Sequence, residues 1–240
     1  MTTSNKNIFT RSSHKEVDKF LAQIKKNPLP VQHDSKGRLV FGMDATASRE
    51  PLWDRACHIQ SQMFEATSSI GKLLVQLVYY RGFREFQVTR WHSSGTELLD
   101  EMNSIRCIAG QTQIARLLRH ALNCARVQKF KIDALVFVGD SMEENPDILA
   151  ELAGELSLVG TPVFIFQDSN DAIAAKTFSH IADLTKGAHC TFNSSSPNQL
   201  RDLLCAVAIY ATGGYKALKE YERLQGGQFL RLTSNIKGGD

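Results

Sequence analysis

Apolar residues along this chain alternate between short unbroken runs and longer stretches in which they recur every three or four positions. Short runs bounded by turn residues are typical of buried strands, and the longer period is typical of amphipathic helices. The runs predict strands at 39–43, 73–80, 86–91, 133–138, 162–166 and 188–192. The periodic stretches predict helices at 49–70, 94–105, 112–127, from Asn145 onward, 172–184 and 199–211, with 215–224 either extending the last or packing separately.

Only the short segment 81–84 separates the second and third predicted strands. Parallel strands need a crossover of a dozen or more residues, so these two strands must pair antiparallel. The other connections are long enough to hold a helix, which favours parallel pairing. The pattern therefore predicts an α/β fold: a doubly wound, mostly parallel sheet with one antiparallel edge strand and helices on both faces, as in Rossmann-like proteins.

Three segments of different character predict the domain organisation. Residues 1–37 form an N-terminal extension with one short amphipathic helix, which ends at Asn27-Pro28-Leu29-Pro30. The apolar residues of this helix share one face and are Val17, Phe20, Leu21 and Ile24. Packing of the helix on the chain's own domain is favoured, and partner binding stays open as an alternative. Residues 38–225 form the main domain, and the Gly-rich stretch 226–240 is a flexible tail.

Composition and charge exclude several classes of function. A chain of 240 residues with 42% apolar and 22% charged residues is long and apolar enough to bury a core. A net charge of +3 without a dense Lys/Arg block argues against nucleic acid as a partner. No apolar run reaches the roughly 20 residues that span a membrane. The cysteines are odd in number and scattered, which favours a reducing compartment, and we expect a cytoplasmic protein; they are Cys57, Cys107, Cys124, Cys190 and Cys205.

Oxygen-bearing side chains follow two predicted strands and open one predicted helix. Asp44, Thr46 and Ser48 follow the first strand, Thr112 opens a helix, and Asp140 follows the buried central strand. Ligands of open α/β sheets bind at the carboxyl ends of the strands, where these pieces would converge. Two carboxylates and three hydroxyls, without thiolate or imidazole, suit a hard divalent cation such as Mg²⁺, with Mn²⁺ or Ca²⁺ as alternatives.

Simpler explanations exist for some of these residues. Ser48 or Thr112, taken alone, is better explained as the N-cap of the helix that follows it. Asp140 is not needed as a cap, because Asn145 and Pro146 already provide the start of the next helix. Asp44 has no evident structural task either. The combination therefore indicates one site, although each hydroxyl alone does not.

Other acidic residues lie near the same predicted edge of the sheet. Glu143 and Glu144 follow Asp140 and either shape a partner-binding surface or belong to a solvated loop. Asp168 and Asp171 follow the strand at 162–166, where a turn residue and an N-cap are favoured over a place in the site.

The series Asp44-x-Thr46-x-Ser48, then Thr112, then Asp140 resembles the metal-ion-dependent adhesion site of the von Willebrand factor type A (vWA) domains. That site is written D-x-S-x-S, followed by a separate Thr and a separate Asp. The chain departs from the pattern at Thr46, where Ser is usual and where Thr keeps the hydroxyl. The resemblance implies that the three hydroxyls ligate the cation and that the two carboxylates act directly or through water.

By resemblance, we expect a non-enzymatic module that binds another protein. The cation would keep one position open for a Glu or Asp carboxylate of that partner. A Mg²⁺-dependent phosphohydrolase or phosphotransferase is the first alternative, but Thr46 stands where a D-x-D enzyme carries its acid/base carboxylate. The second alternative is a scaffold with a degenerate metal site.

Overall fold

The computed structural model describes residues 19–20, 22–23, 36–47, 62–67, 70–126, 131–192 and 197–224. Of the helix predicted at 49–70, residues 62–67 are described and are helical. Ser48 and the predicted tail 226–240 lie outside the described residues, and so does most of the predicted N-terminal extension.

Six strands form a single sheet in the described part of the chain. They are β1 (Lys36–Asp44), β2 (Lys72–Arg81), β3 (Glu85–His92), β4 (Ala134–Gly139), β5 (Val163–Gln167) and β6 (Ala188–Thr191). Their spatial order is β3-β2-β1-β4-β5-β6. β3 pairs antiparallel with β2, and every other pair is parallel. The predicted fold class, including the antiparallel edge strand, is confirmed.

Helices cover both faces of this sheet. They are α1 (Gly95–Asn103), α2 (Ile114–Arg126), α3 (Pro146–Leu158), α4 (Ala172–Leu184) and α5 (Pro197–Leu224). Asn145 caps α3, and Asp171 caps α4 by accepting hydrogen bonds from the first-turn amides, as the sequence predicted. Gly214, with φ 66° and ψ −166°, interrupts the helical geometry of α5. Residues 215–224, which the sequence predicted either to extend the last core helix or to pack separately, belong to α5. They form a separate helical run after Gly214.

The sheet separates two apolar cores. Leu39, Phe41 and Met43 of β1 face one core, together with side chains from α1, α5 and the helical residues 62–67. Val40 faces the other core, which α2, α3 and α4 complete. Strands covered on both faces bury nearly every residue, which explains the unbroken apolar runs in the sequence. Each large side chain buried in this way contributes about 2 kcal/mol.

The N-terminal extension contacts the sheet through Phe20. This side chain is fully buried, and its ring centroid lies 5.9 Å from that of Phe164 and 5.4 Å from that of Phe166. Both partners belong to β5, on the face that α5 covers. At this residue the structure shows the packing that the sequence favoured.

The first strand begins earlier than its apolar pattern indicated. β1 starts at Lys36, because backbone pairing with β2 already begins at the Lys36–Lys72 pair. Hydrogen bonds between backbones do not require apolar side chains, so the ends of strands extend past the apolar run.

Candidate metal centre

The two predicted carboxylates lie at the carboxyl ends of neighbouring strands. Asp44 is the last residue of β1, and Asp140 directly follows Gly139, the last residue of β4. The two strands are paired in parallel up to Met43 and Val138. The structure thus brings Asp44 and Asp140 to the same edge of the sheet, next to each other in strand order.

Asp44 organises the turn that follows β1. The side chain is 2% exposed, and its Oδ1 accepts a hydrogen bond of 2.8 Å from the Thr46 backbone amide. Asp side chains commonly stabilise turns in this way. Asp44 therefore has a structural task that the sequence did not reveal, and this task fixes the carboxylate at the strand end. Thr46 is also buried, at 8% exposed.

A segment from the α1–α2 connection crosses the ends of β1 and β2. The Ile108 amide donates to the Ala45 carbonyl over 3.0 Å, and the Gly82 amide donates to the Ile108 carbonyl over 3.1 Å. Gly110 then passes so close to Gly82 that a Cβ at Gly110 would lie 2.1 Å from the Gly82 carbonyl oxygen. Only glycine permits this approach, which brings Thr112 to the same edge as the carboxylates.

Thr112 contacts the loop that carries Asp140. Its Oγ1 donates to Glu143 Oε2 over 2.9 Å, and its backbone amide donates to the same oxygen over 3.1 Å. The Glu143 amide in turn lies 3.3 Å from Thr112 Oγ1 and donates to it. Thr112 is 8% exposed and does not cap α2, so the simpler explanation from the sequence is wrong for this residue.

Glu144 caps α2 from a distant part of the chain. Its Oε1 accepts from the Ala115 amide over 2.9 Å, and its Oε2 accepts from the Ile114 amide. A carboxylate at a helix N-terminus satisfies amides that lack partners within the helix, and it also meets the positive end of the helix dipole. Glu144 therefore has a capping role that the sequence did not indicate, and its place in a partner-binding surface stays a prediction.

The loop after β4 is also tied to the loop after β5. Ser141 Oγ donates to Asp140 Oδ1 over 3.1 Å, and Ser169 Oγ donates to the Asp140 carbonyl. The Asp168 amide donates to the Gly139 carbonyl over 3.0 Å. Asp168 therefore takes part in the turn after β5, in agreement with the favoured prediction.

Tyr80 also lies at this edge of the sheet, although the sequence did not identify it as a candidate site residue. It lies opposite Asp44 in the β1–β2 register and is 1% exposed. Its hydroxyl has no hydrogen-bond partner among the described residues. Burial raises the pKa of Tyr80 well above its usual range, and the negative charges of Asp44, Glu144, Asp140 and Glu143 raise it further. A buried hydroxyl to which the described residues offer no hydrogen-bond partner therefore lies within the field of four carboxylates.

The donor chemistry of this edge fits a hard cation. Carboxylate oxygens come from Asp44 and Asp140, and hydroxyl oxygens come from Thr46 and Thr112. Within the described ranges no three His, Cys, Asp or Glu side chains form a group that could hold a metal ion. Hydroxyl ligands and retained water would therefore have to complete the coordination, which is a common arrangement for Mg²⁺.

Comparison with known proteins identifies the architecture. No protein-family model and no curated protein matches the chain. A solved vWA protein from Catenulispora acidiphila superposes with a TM-score of 0.54 at 15% identity, over 73% of this chain and 43% of the other. The SpRpn10 VWA domain superposes with a TM-score of 0.54 at 13% identity, over 70% of this chain and 93% of that domain. The fold is that of a vWA domain.

A third solved structure with a similar fold is an aerotolerance-related membrane protein from Bacteroides fragilis. It superposes with a TM-score of 0.54 at 15% identity, over 70% of this chain and 96% of the other. At such identities the likeness extends to the vWA fold and not to a shared activity. In this chain, the described helices include none that is both long and apolar enough to cross a bilayer.

Proposed function

We propose that this vWA-fold chain is a non-enzymatic protein-binding domain that uses a divalent cation to bind an acidic residue of a partner protein. The observation that carries the proposal is the convergence of Asp44, Thr112 and Asp140 at one edge of the sheet. Mg²⁺ is the expected cation, and Mn²⁺ or Ca²⁺ suits the same oxygen donors.

The hydroxyls of Thr46, Ser48 and Thr112 would ligate the cation, and the carboxylates of Asp44 and Asp140 would act directly or through water. A cation held largely by neutral hydroxyls keeps much of its positive charge, which attracts a further carboxylate. Mg²⁺ also keeps several water molecules in its shell, and a Glu or Asp carboxylate of a partner can replace one of them. Binding of the partner would then require both the cation and an acidic residue on the partner.

Thr46 supports a binding role over a catalytic one. Metal-dependent phosphoryl chemistry at a D-x-D site uses the second carboxylate as acid or base, and a threonine hydroxyl does not replace it. Cytoplasmic placement is also part of the proposal. It is supported by Cys124 and Cys205, which are buried thiols rather than members of disulfides.

Isothermal titration with Mg²⁺ tests the metal site. We expect Asp44→Ala and Thr112→Ala each to weaken binding about tenfold or more. Asp183→Ala is the matched control, because Asp183 is an exposed carboxylate at the C-terminal end of α4, where the helix has run back from the site. Unchanged affinity in both site variants would remove the site.

The binding role is tested separately from the metal site. Proteins retained by the wild-type chain in Mg²⁺ should be released by a chelator and should not be retained by Asp44→Ala. Metal-dependent phosphatase turnover that Asp44→Asn abolishes would instead establish the enzymatic alternative.

A further inference from the structure

Large apolar side chains are exposed at the end of the sheet where the strands β1, β2, β4 and β5 have their carboxyl ends. Phe83, in the β2–β3 turn, is 78% exposed, and Ile108, in the α1–α2 connection, is 46% exposed. Ile148 and Ile173 are exposed in the first turns of α3 and α4, which follow β4 and β5. Exposed apolar side chains that gather in one region, with polar groups around them, are typical of surfaces that bind another protein.

Hydrogen bonds hold the β2–β3 turn in one shape. The Arg81 guanidinium donates to the Arg106 carbonyl over 2.6 Å, and Arg116 Nη1 donates to the Arg84 carbonyl over 2.9 Å. Arg84 has φ 67°, a left-handed conformation that a residue with a side chain rarely adopts unless its surroundings enforce it. The turn that exposes Phe83 is therefore preformed, so a partner that binds it does not have to order it.

The turn and the segment beside it carry an excess of positive charge. Residues 81–85 and 106–113 contain three arginines and one glutamate. The glutamate, Glu85, is paired with the first of these arginines at 2.8 Å. The other two, Arg84 and Arg106, are exposed. Arginines and aromatic rings provide much of the binding energy in protein interfaces, and complementary charge favours an acidic partner at this place.

We propose that the β2–β3 turn, together with Arg106 and Ile108, binds a segment of a partner protein in which an apolar side chain is flanked by Asp or Glu residues. The apolar side chain packs on Phe83 and Ile108, and the carboxylates pair with Arg84 and Arg106. The Arg84 guanidinium lies 5.1 Å from the centre of the Phe83 ring, so one short segment reaches both. This inference goes beyond the proposed function, because the contact requires no cation.

Nucleic acid is the other class of partner that arginines beside an exposed ring suit, but the charges of this edge oppose it. Asp140, Glu143 and Glu144 lie at the same end of the sheet, and the net charge of the whole chain is only +3. A phosphate backbone is bound by surfaces that present many cations. A protein segment carries its few carboxylates at defined positions, so it can pair with Arg84 and Arg106 alone.

Selection from a displayed library of short random peptides tests the proposal, with the full chain as the target and a chelator present throughout. We expect the selected peptides to combine an apolar residue with Asp or Glu. Their affinity, measured by fluorescence anisotropy, should be about tenfold lower for Phe83→Ser and should also be lower for Arg106→Gln. The affinity for the wild type should decrease as salt is added, because the charges are exposed.

Two exposed side chains elsewhere provide matched controls. Leu158→Ser removes a leucine that is 85% exposed at the C-terminal end of α3, away from the β2–β3 turn. Lys176→Gln removes an exposed positive charge from α4, which packs against β5 and β6 on the other side of the sheet. Both variants should bind the peptides as the wild type does. Phe83 and Arg106 are exposed, so their substitution should leave the midpoint of thermal unfolding unchanged.

The outcomes separate this inference from the proposed function. Equal affinity of the peptides for Phe83→Ser and the wild type would overturn the inference, as would selected peptides without carboxylates or a selection that yields no binder. Tighter binding of a labelled oligothymidylate than of the peptides, lost in Phe83→Ser, would assign the surface to nucleic acid instead. If the wild type binds no Mg²⁺ but binds the peptides in chelator, the proposed function fails and the role of the turn stands.

Discussion

Tyr80 lies directly opposite Asp44 where β1 and β2 end, and the phenol hydroxyl of Tyr80 is buried without a described partner. Tyr80 faces the core that α2, α3 and α4 complete, where its ring stacks on Phe137 at a centroid distance of 6.4 Å. Packing thus fixes the ring at the end of β2, next to Asp44. Two neighbouring strands thereby combine an apolar interior with a polar end.

Removal of that hydroxyl should stabilise the metal-free chain. Tyr80→Phe leaves the ring in place and deletes a buried polar group that has no partner among the described residues, so the free energy of unfolding should rise by about 1 kcal/mol. Urea denaturation in the presence of a chelator measures this change in the free energy of unfolding. Tyr79→Phe is the control. The Tyr79 side chain lies on the opposite face of the sheet, where its ring centroid is 5.7 Å from the Arg81 guanidinium, and this substitution should not raise the free energy of unfolding. A marked loss in Tyr80→Phe would mean that the hydroxyl has a partner.

Gly110→Ala should disturb both the fold and the metal site. The added methyl group would meet the Gly82 carbonyl oxygen at 2.1 Å, so the segment that carries Thr112 must shift. Overpacking of this kind costs about 1–3 kcal/mol. We expect a lower midpoint of thermal unfolding and weaker Mg²⁺ binding. Gly154→Ala is the control, because no atom lies within 4 Å of a Cβ there, and alanine in the middle of α3 should stabilise by about 0.5–1 kcal/mol.

Glu144→Ala should weaken α2 from outside the helix. The substitution leaves the amides of Ile114 and Ala115 without their acceptor, and loss of a helix cap costs about 1 kcal/mol. Chemical denaturation gives the change, and hydrogen exchange of the first-turn amides of α2 should accelerate. Glu151→Ala, an exposed substitution within α3, should leave both measurements unchanged. Equal exchange rates in Glu144→Ala and the wild type would contradict the capping role.

Acidification should destabilise the chain through His92. This residue is fully buried, and neither ring nitrogen has a hydrogen-bond partner among the described residues. Burial lowers the pKa of His92, as does the charge of Arg90, against a smaller opposite effect of Glu101 and Glu97. The unfolded chain therefore takes up the proton more readily than the folded chain. As a result, the free energy of unfolding keeps its full value above the ordinary histidine pKa of about 6.5 and decreases at lower pH.

The free energy of unfolding between pH 7.5 and pH 5.5 tests this prediction. One proton contributes a slope of at most about 1.4 kcal/mol per pH unit. The slope should be smaller in His92→Leu, which keeps the volume of the side chain without a titrating group. An identical slope in the two proteins would show that other groups cause the pH dependence.

Local patterns in the sequence predicted most of the fold. α4 begins and ends where its apolar period and Asp171 indicated, and the short connection at 81–84 correctly predicted the antiparallel edge strand. The start of β1 at Lys36 could not be predicted in this way, because the backbone of β2 determines it.

The candidate site was predictable only in part. Asp44 and Asp140 follow apolar runs, so their place at the sheet edge could be inferred from the chain alone. The roles of Glu143 and Glu144 depend on hydrogen bonds to residues about thirty positions earlier, which no local pattern contains. Tyr80 could not be identified from the sequence because its ring suits an apolar strand. Only the structure shows that its buried hydroxyl has no partner within the described ranges.

The burial of Phe20 has a practical consequence for shortened versions of this protein. A chain cut just before β1 would lose the aromatic ring that fills the space beside Phe164 and Phe166. Emptying a pocket of that size costs about 3–5 kcal/mol, a large part of the stability of an ordinary domain. Expression trials that trim the N-terminus to the start of β1 would thus yield an unstable product, whereas a cut that keeps residue 20 would leave this aromatic ring in place.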